Sequence, residues 1–220
     1  DGYYLSRFLK HKNYKVGAIV QPGSNVQEND LGLPIAALSV FNGNLLEQES
    51  LNSVLMEFRP DEVYNLGAQS VVTRSWDDPV GSSDVNALGV ARVLEAIRKI
   101  NPKICYYQAS SSEIFGHSLD GLRNEESPFK PDNPYGISKT FGHQLTIAYR
   151  ERYNLFACSG ILFNHESPKR GITYVSRQIT RGVAAIKLGI KKELQIGNLE
   201  AQRDWGDARD YVRAMWLMLQ

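Results

Sequence analysis

Long hydrophobic runs are missing from this chain. No stretch approaches the roughly 20 consecutive apolar residues that cross a bilayer, and no signal-peptide pattern is visible. No membrane partner is expected, and the expected compartment is the cytoplasm. Cysteine is scarce: Cys105 and Cys158 each sit in an apolar, strand-like run, which reads as buried free thiols in a reducing compartment and excludes a disulfide framework. Charge of one sign is lacking as well, with 25 basic against 24 acidic residues. A net charge of +1 gives no bulk pull toward nucleic acid or anionic lipid, so no nucleic-acid partner is expected. The four histidines (His11, His117, His143, His165) show no metal-ligand spacing with cysteines or carboxylates, and no metal is expected. Repeats and low-complexity tracts are absent.

What is present is the composition of an ordinary globular protein, 42% hydrophobic and 22% charged. A length of 220 residues suits one large domain, or one domain and part of another. The chain opens on Asp1, and Asp207 to Gln220 reads as a helix with no stop signal, so both ends read as cut.

Helix and strand patterns alternate. Helical spacing covers Gly2 to Lys12, Glu47 to Phe58, Ser83 to Ile100, and the segment from Pro134 through Tyr153, where Asn133 is the expected N-cap. The Ser83–Ile100 pattern puts Val85, Leu88, Val93, Leu94 and Ile97 on its apolar side. Short apolar runs at Tyr14 to Val20, Ala36 to Phe41, Asp61 to Leu66, Ile104 to Ala109 and Leu155 to Phe163 read as strands, with a loop at Gln21 to Asn25. A polar loop rich in Pro, Asn and Asp follows Ala109. The expected fold is α/β, a doubly wound parallel sheet covered on both faces. In such sheets ligands bind beyond the carboxyl ends of the strands. Gln21, Asn44, Gln69, Ser111, Glu113 and Asn164 all fall there. After Phe163 the texture changes to a polar loop, a basic amphipathic helix over Tyr174 to Leu188, a short strand at Leu194 to Gly197, and a final helix. The expected division is a dinucleotide-binding domain over 1–163, then the beginning of a small C-terminal substrate lobe with a return helix over 164–220.

The chemistry gathers between Ile104 and Lys139. Tyr135 and Lys139 stand four apart, so a helix stacks phenol and ammonium on one face. An ammonium beside a phenol favours the phenolate, which predicts a lowered Tyr135 pKa and a base able to take a proton from a sugar hydroxyl. Ser110, Ser111, Ser112 and Glu113 bring hydroxyls and a carboxylate just past a strand end. Taken singly, each has an ordinary reading. The serines can be a polar turn, Glu113 a solvated carboxylate, His165 a loop histidine, and Arg177 and Arg181 a solvated or subunit-facing helix surface. Trp76, Trp205 and Trp216 read as packing residues.

Several segments together carry a resemblance: Val63 to Ser70, Tyr107 to Glu113, Pro134-Tyr135 with Lys139, Gly160 to Pro168, and Arg203 to Gly206. The chain resembles the extended short-chain dehydrogenases/reductases that act on nucleotide sugars, and within them the GDP-mannose 4,6-dehydratases. The Asn164-His165-Glu166-Ser167-Pro168 run is far more selective for that family than the tyrosine–lysine spacing. The resemblance implies a Rossmann-like domain, NADP as cofactor (NAD stays open), GDP-mannose as substrate, and a homodimer or homotetramer.

It also implies roles. Tyr135 removes the proton of the sugar's 4-hydroxyl as the C4 hydride passes to the nicotinamide, with Lys139 lowering its pKa. Ser111, at a family threonine position, bonds the 4-oxygen. Glu113 removes the C5 proton, water is lost from C6, and hydride returns to C6. Thymidine-diphosphate-glucose relatives carry an aspartate before this glutamate; here Ser112 stands there, so Glu113 or a water also serves as acid. Implied cofactor contacts are Gly2, Asn44, Leu45, Leu66, Ala68, Gln69, Ser70, Lys139, His165 and Arg170; Asn164 and Arg203 face the sugar diphosphate. Two departures stand out. Only Gly2 remains of the family's glycine-rich turn, and Gln21-Pro22 occupy positions where arginines hold the 2′-phosphate. An epimerase or reductase on the same scaffold, or a non-catalytic dinucleotide-binding protein, are the alternatives. Glu113 separates dehydration from epimerisation.

Overall fold

The alternation in the sequence becomes parallel ladders. In the computed structural model, which describes residues 1–24, 30, 33–34, 37–117 and 121–220, β1 (Gly17–Val20) pairs with β2 (Ser39–Asn42), Gly17 opposite Ser39. Strands β3 (Glu62–Asn65), β4 (Cys105–Ala109) and β5 (Ala157–Gly160) form a second parallel ladder in that order. A third joins β6 (Asn164–Glu166) to β7 (Trp205–Asp207). Among the described residues no ladder joins β1 to β3, so the expected single sheet is present as separate parallel pieces.

Helices cover both faces. They are α1 (Gly2–His11), α2 (Gln48–Phe58), α3 (Gly89–Ile100), α4 (Pro134–Tyr153), α5 (Val175–Lys187) and α6 (Ala208–Leu217). Successive side chains of a strand point to opposite faces, and β4 divides accordingly. Tyr106 joins a core with Leu51 and Leu55 of α2, Val93, Leu94 and Ile97 of α3, and Leu155. Tyr107 and Ala109 join a second core with Leu5 and Leu9 of α1 and Val212 and Met215 of α6. Each fully buried aliphatic or aromatic side chain contributes about 1.5–3 kcal/mol, so β4 is clamped from both sides. The last helix therefore packs back onto the first.

Helix limits follow local chemistry. Asn13, Arg59 and Asn154 take positive φ at the ends of α1, α2 and α4. Pro134 at the first position of α4 follows Asn133, whose side chain accepts from Gly136 N.

Several expectations change. The predicted helix over 83–100 is helical throughout, but it starts earlier, at Pro79 after a separate turn Arg74–Asp77, and it contains a π-helical turn, Asp84–Leu88, that runs into α3. The wider turn rotates the apolar stripe, leaving Leu88 exposed rather than buried. Residues 194–197 form no strand. Leu194 lies over Gly182 of α5, and the ladder with β6 is made by Trp205–Asp207 instead. The fifth strand is shorter than expected. Cys105 and Cys158 are free but only half-buried. Asn25, Ala36 and residues 118–120 of the loop after β4 lie outside the described residues. No described helix is long and apolar enough to cross a membrane.

Candidate active site

Parallel pairing aligns the carboxyl ends of β3, β4 and β5, and the polar segments that follow them share that edge. Past β4 the chain enters a single 3-10 turn, Ser112–Phe115, capped by Ser111, whose Oγ accepts from Glu113 N at 3.2 Å. The same Ser111 hydroxyl stands close enough to the Tyr135 phenol to favour its ionised form. The first turn of α4 lies directly against this segment: a Cβ on Gly136 would stand 2.5 Å from the Glu113 carbonyl oxygen. Only glycine permits that approach. Glu113 Oε2 accepts from Asn133 Nδ2 at 2.9 Å. Tyr135 N donates to Ser75 Oγ at 3.2 Å, tying the helix start to the Arg74–Asp77 turn.

Lys139 is almost fully buried. Its Nζ donates to the Ala109 carbonyl at 2.6 Å, an acceptor shared with Gln108 Nε2 at 2.8 Å, and lies 5.9 Å from the centre of the Tyr135 ring. Burial pushes the ammonium down to about 8, still high enough to leave it mostly charged at pH 7. Tyr135 departs from the sequence expectation. Its pKa is raised, because burial outweighs the Ser111 hydroxyl, and Glu113 and Tyr174 raise it further. Lys139 is turned to a carbonyl, so desolvation rather than the ammonium sets the phenol's state here.

A second cluster surrounds the N-terminus of α1. A cavity of about 340 Å³ is bounded by Gly2, Tyr3, His165, Lys169, Arg170 and Tyr174, among others. His165 donates from Nδ1 to the Phe163 carbonyl (2.7 Å), has Nε2 2.6 Å from Asp1 Oδ2, and stacks on Tyr211. Its pKa is lowered, first by burial. The Arg170 guanidinium lies 3.6 Å over the Tyr174 ring; its Nε, 3.4 Å from a Glu166 oxygen, is buried with no hydrogen bond. Nothing stands within 4 Å of a Cβ built on Gly2. A helix N-terminus, a glycine and an unspent guanidinium donor around one cavity fit the phosphates of a dinucleotide.

The other expected contacts are dispersed. Asn44 Oδ1 accepts from Leu46 N, so its acceptor is engaged. Leu45 packs where a Cβ on Gly67 or Gly89 would meet it, and Leu66 belongs to the second core. Ala68 and Ser70 flank Gln69, which is gripped through its backbone. Its N–H donates to Asn86 Oδ1 (2.9 Å) and its carbonyl accepts from Asn86 Nδ2 (3.0 Å). Asn164 opens β6, opposite Trp205. Arg203 is exposed and donates to the Gln202 carbonyl (2.7 Å), and no recorded contact ties it to the Tyr135 cluster.

Sequence reasoning passed over Asn86, Ser75, Gln108, His143 (Nδ1 3.0 Å from Ser110 Oγ) and the second role of Asn133. The cap was legible beside Pro134; each of the others has a bond to a partner 17 to 60 residues away that the sequence does not mark. Contrary to the sequence expectation, ligand-type atoms of Glu113, His117 and Asp132 come within 4.8 Å of one another. Hydrogen bonds account for the cluster: Asp132 accepts from His117 N, His117 Nδ1 and Asn133 Nδ2, and no metal is assigned.

Parallel strands with helices on both faces, and a Ser–Tyr–Lys group past the central strand, define a Rossmann-type dehydrogenase/reductase architecture. Solved structures agree. UDP-glucose 4-epimerase from Thermus thermophilus, in complex with NAD, superposes with a TM-score of 0.83 at 25% identity, over 99% of this chain and 70% of its own. RMD from Pseudomonas aeruginosa, complexed with NADPH, gives 0.75 at 25% identity over 83% and 63%. More particularly, the chain belongs to the GDP-mannose 4,6 dehydratase family, whose family model matches residues 1–220. A GDP-mannose 4,6-dehydratase of Vibrio cholerae is 45% identical over 229 aligned positions, covering all of this chain and 62% of that protein. The chain thus spans about three fifths of the length of the curated relatives it matches.

Proposed function

We propose that the full-length protein containing this chain is a hydro-lyase that converts GDP-mannose to GDP-4-keto-6-deoxymannose. The observation that carries the reading is the Glu113 carboxylate, anchored by Asn133 beside the Ser111–Tyr135 hydroxyl pair. A nicotinamide dinucleotide, when bound, takes up hydride from C4 and returns it at C6. Gly2, His165 and Arg170 around the α1 cavity, and the Leu66–Ser70 segment gripped by Asn86, would hold it, with Asn44 and Leu45 toward the adenine end. The named neighbours hold NAD and NADPH. Our reading is NADP, on the family resemblance.

Tyr135 accepts the 4-hydroxyl proton while Ser111 bonds the same oxygen. Lys139, mostly charged at pH 7, would favour the phenolate on the family resemblance once its ammonium turns from the Ala109 carbonyl toward the phenol. With C4 oxidised, the C5 hydrogen is acidic, and Glu113 removes it. The protonated Glu113 then gives that proton to the departing 6-hydroxyl, which leaves as water. Finally a proton from water returns to C5 through Glu113, and the 4-hydroxyl proton held by Tyr135 passes to solvent, which restores both groups. Asn164 and Arg203 would meet the sugar diphosphate, Arg203 by a two-pronged guanidinium contact. Self-association is part of the reading, since Trp76, Val80, Leu88, Ile137 and Phe141 stand exposed on α4 and on the helical turns packed against it. A cytoplasmic setting fits two free thiols.

The test is incubation of the full-length protein with GDP-mannose and NADP. Formation of the 4-keto-6-deoxy sugar is expected; turnover of another nucleotide sugar with GDP-mannose untouched would sink the reading.

A further inference from the structure

Asn133 has more bonds than a helix cap needs. Its Oδ1 accepts from Gly136 N at 2.8 Å and closes the first turn of α4. Its Nδ2 donates to Glu113 Oε2 at 2.9 Å and to Asp132 Oδ1 at 3.0 Å. The residue is 4% exposed, so these bonds are not shared with bulk water. Their pattern fixes the amide: turned over, it would set an oxygen against two carboxylates and an NH2 against a backbone N–H. Serine, threonine or aspartate would cap this helix about as well. What asparagine adds is a pair of N–H donors beside the cap.

The surroundings make that pair directional. Asp132 is pinned on its other oxygen by the backbone N–H and Nδ1 of His117, both at 2.9 Å, which hold its carboxyl below the usual range. The Glu113 backbone is pressed against Gly136 at the start of α4. One Asn133 proton is therefore spent on a fixed carboxylate and the other on Glu113. The titratable groups facing Glu113 are Tyr135 from α4 and His117 and Asp132 from the loop.

We infer that Asn133 is a positioning residue for the reaction: it ties Oε2 of Glu113 and leaves Oε1 as the oxygen that exchanges protons with substrate. The inference rests on the proton-transfer role proposed above for Glu113. A donor on Oε2 favours the carboxylate that must act as base. It also sets the side chain's orientation to the Ser111–Tyr135 pair before substrate arrives.

The test compares full-length wild type, N133S and N133D on GDP-mannose with NADP, measuring kcat and KM across pH together with Tm. In N133S the serine oxygen keeps the cap, so Tm and KM should hold while kcat falls about tenfold or more. The acid limb of its kcat profile should move to higher pH, because the carboxylate has lost a donor. N133D keeps the cap and sets a second negative charge against Glu113, so its limb should move further in the same direction. It carries the comparison alone if N133S does not fold. Wild-type kcat in N133S, or a kcat loss that tracks Tm with an unmoved pH profile, would leave Asn133 a cap only and overturn the inference. An active wild type separates the two ideas: its inactivity on GDP-mannose defeats the proposed function, whereas activity matched by N133S defeats only the positioning role.

Discussion

Residues 109–139 and residues 167–204 are both polar, yet they are built in opposite ways. In the first region Ser111, Asn133, Tyr135 and Lys139 are buried, and their bonds run between elements: helix to 3-10 turn, helix to strand end, helix to the Arg74–Asp77 turn. In the second, Arg203 bonds the adjacent residue, Gln195 bonds Glu193, and Leu188, Ile190 and Leu199 stand in solvent. Buried polar groups are costly unless every bond is made, so the first region has one arrangement before any ligand binds. An exposed segment with local bonds meets no such penalty, and a ligand can order it. On the proposed function, chemistry belongs to the first region and grip to the second.

The contrast can be broken at either end. Tyr135→Phe should have the largest effect, lowering kcat by about 10²- to 10⁴-fold with KM little changed, read in steady-state assays of the full-length protein. Glu113→Gln should come next, at about 10²-fold or more. In D2O it should also abolish deuterium incorporation at C5, and incorporation at the wild-type rate would refute its role as base. Gly136→Ala should push Glu113 off its seat, lowering stability by about 1–3 kcal/mol and kcat with it; chemical denaturation beside kinetics would show both. Arg203→Ala, by contrast, should raise KM about tenfold while leaving kcat and Tm alone.

The smallest effect is a pH dependence. Lys139 titrates near 8 when folded and near 10.5 when unfolded. Between those values the unfolded chain holds the extra proton, so this group makes stability rise with pH. That rise in Tm should vanish in Lys139→Met, with Tm at pH 7 no lower than wild type; an unchanged slope would place the low pKa elsewhere.

Much of the fold was legible because its signals are local. The Asn133-Pro134 cap, the helix running through Tyr153 and the parallel α/β class follow from side-chain type and period. The Ser83–Ile100 helix was legible, but not its π-helical turn, where Asn86 bonds both backbone groups of Gln69 across 17 residues. No periodicity records such a partner. Leu194–Gly197 misled for a like reason: Trp205–Asp207 takes the ladder with β6.

By itself the sequence determined the family, the helices and strands, and the set Ser111, Glu113, Tyr135 and Lys139 as the chemistry to look for. Tertiary structure alone decided how those groups stand. It set Lys139 on the Ala109 carbonyl, raised the Tyr135 phenol through burial, and joined Glu113 to Asn133 across 20 residues. Helical spacing is a property of neighbours along the chain. Desolvation and a hydrogen bond between distant residues depend on which surfaces pack, and no local signal carries that.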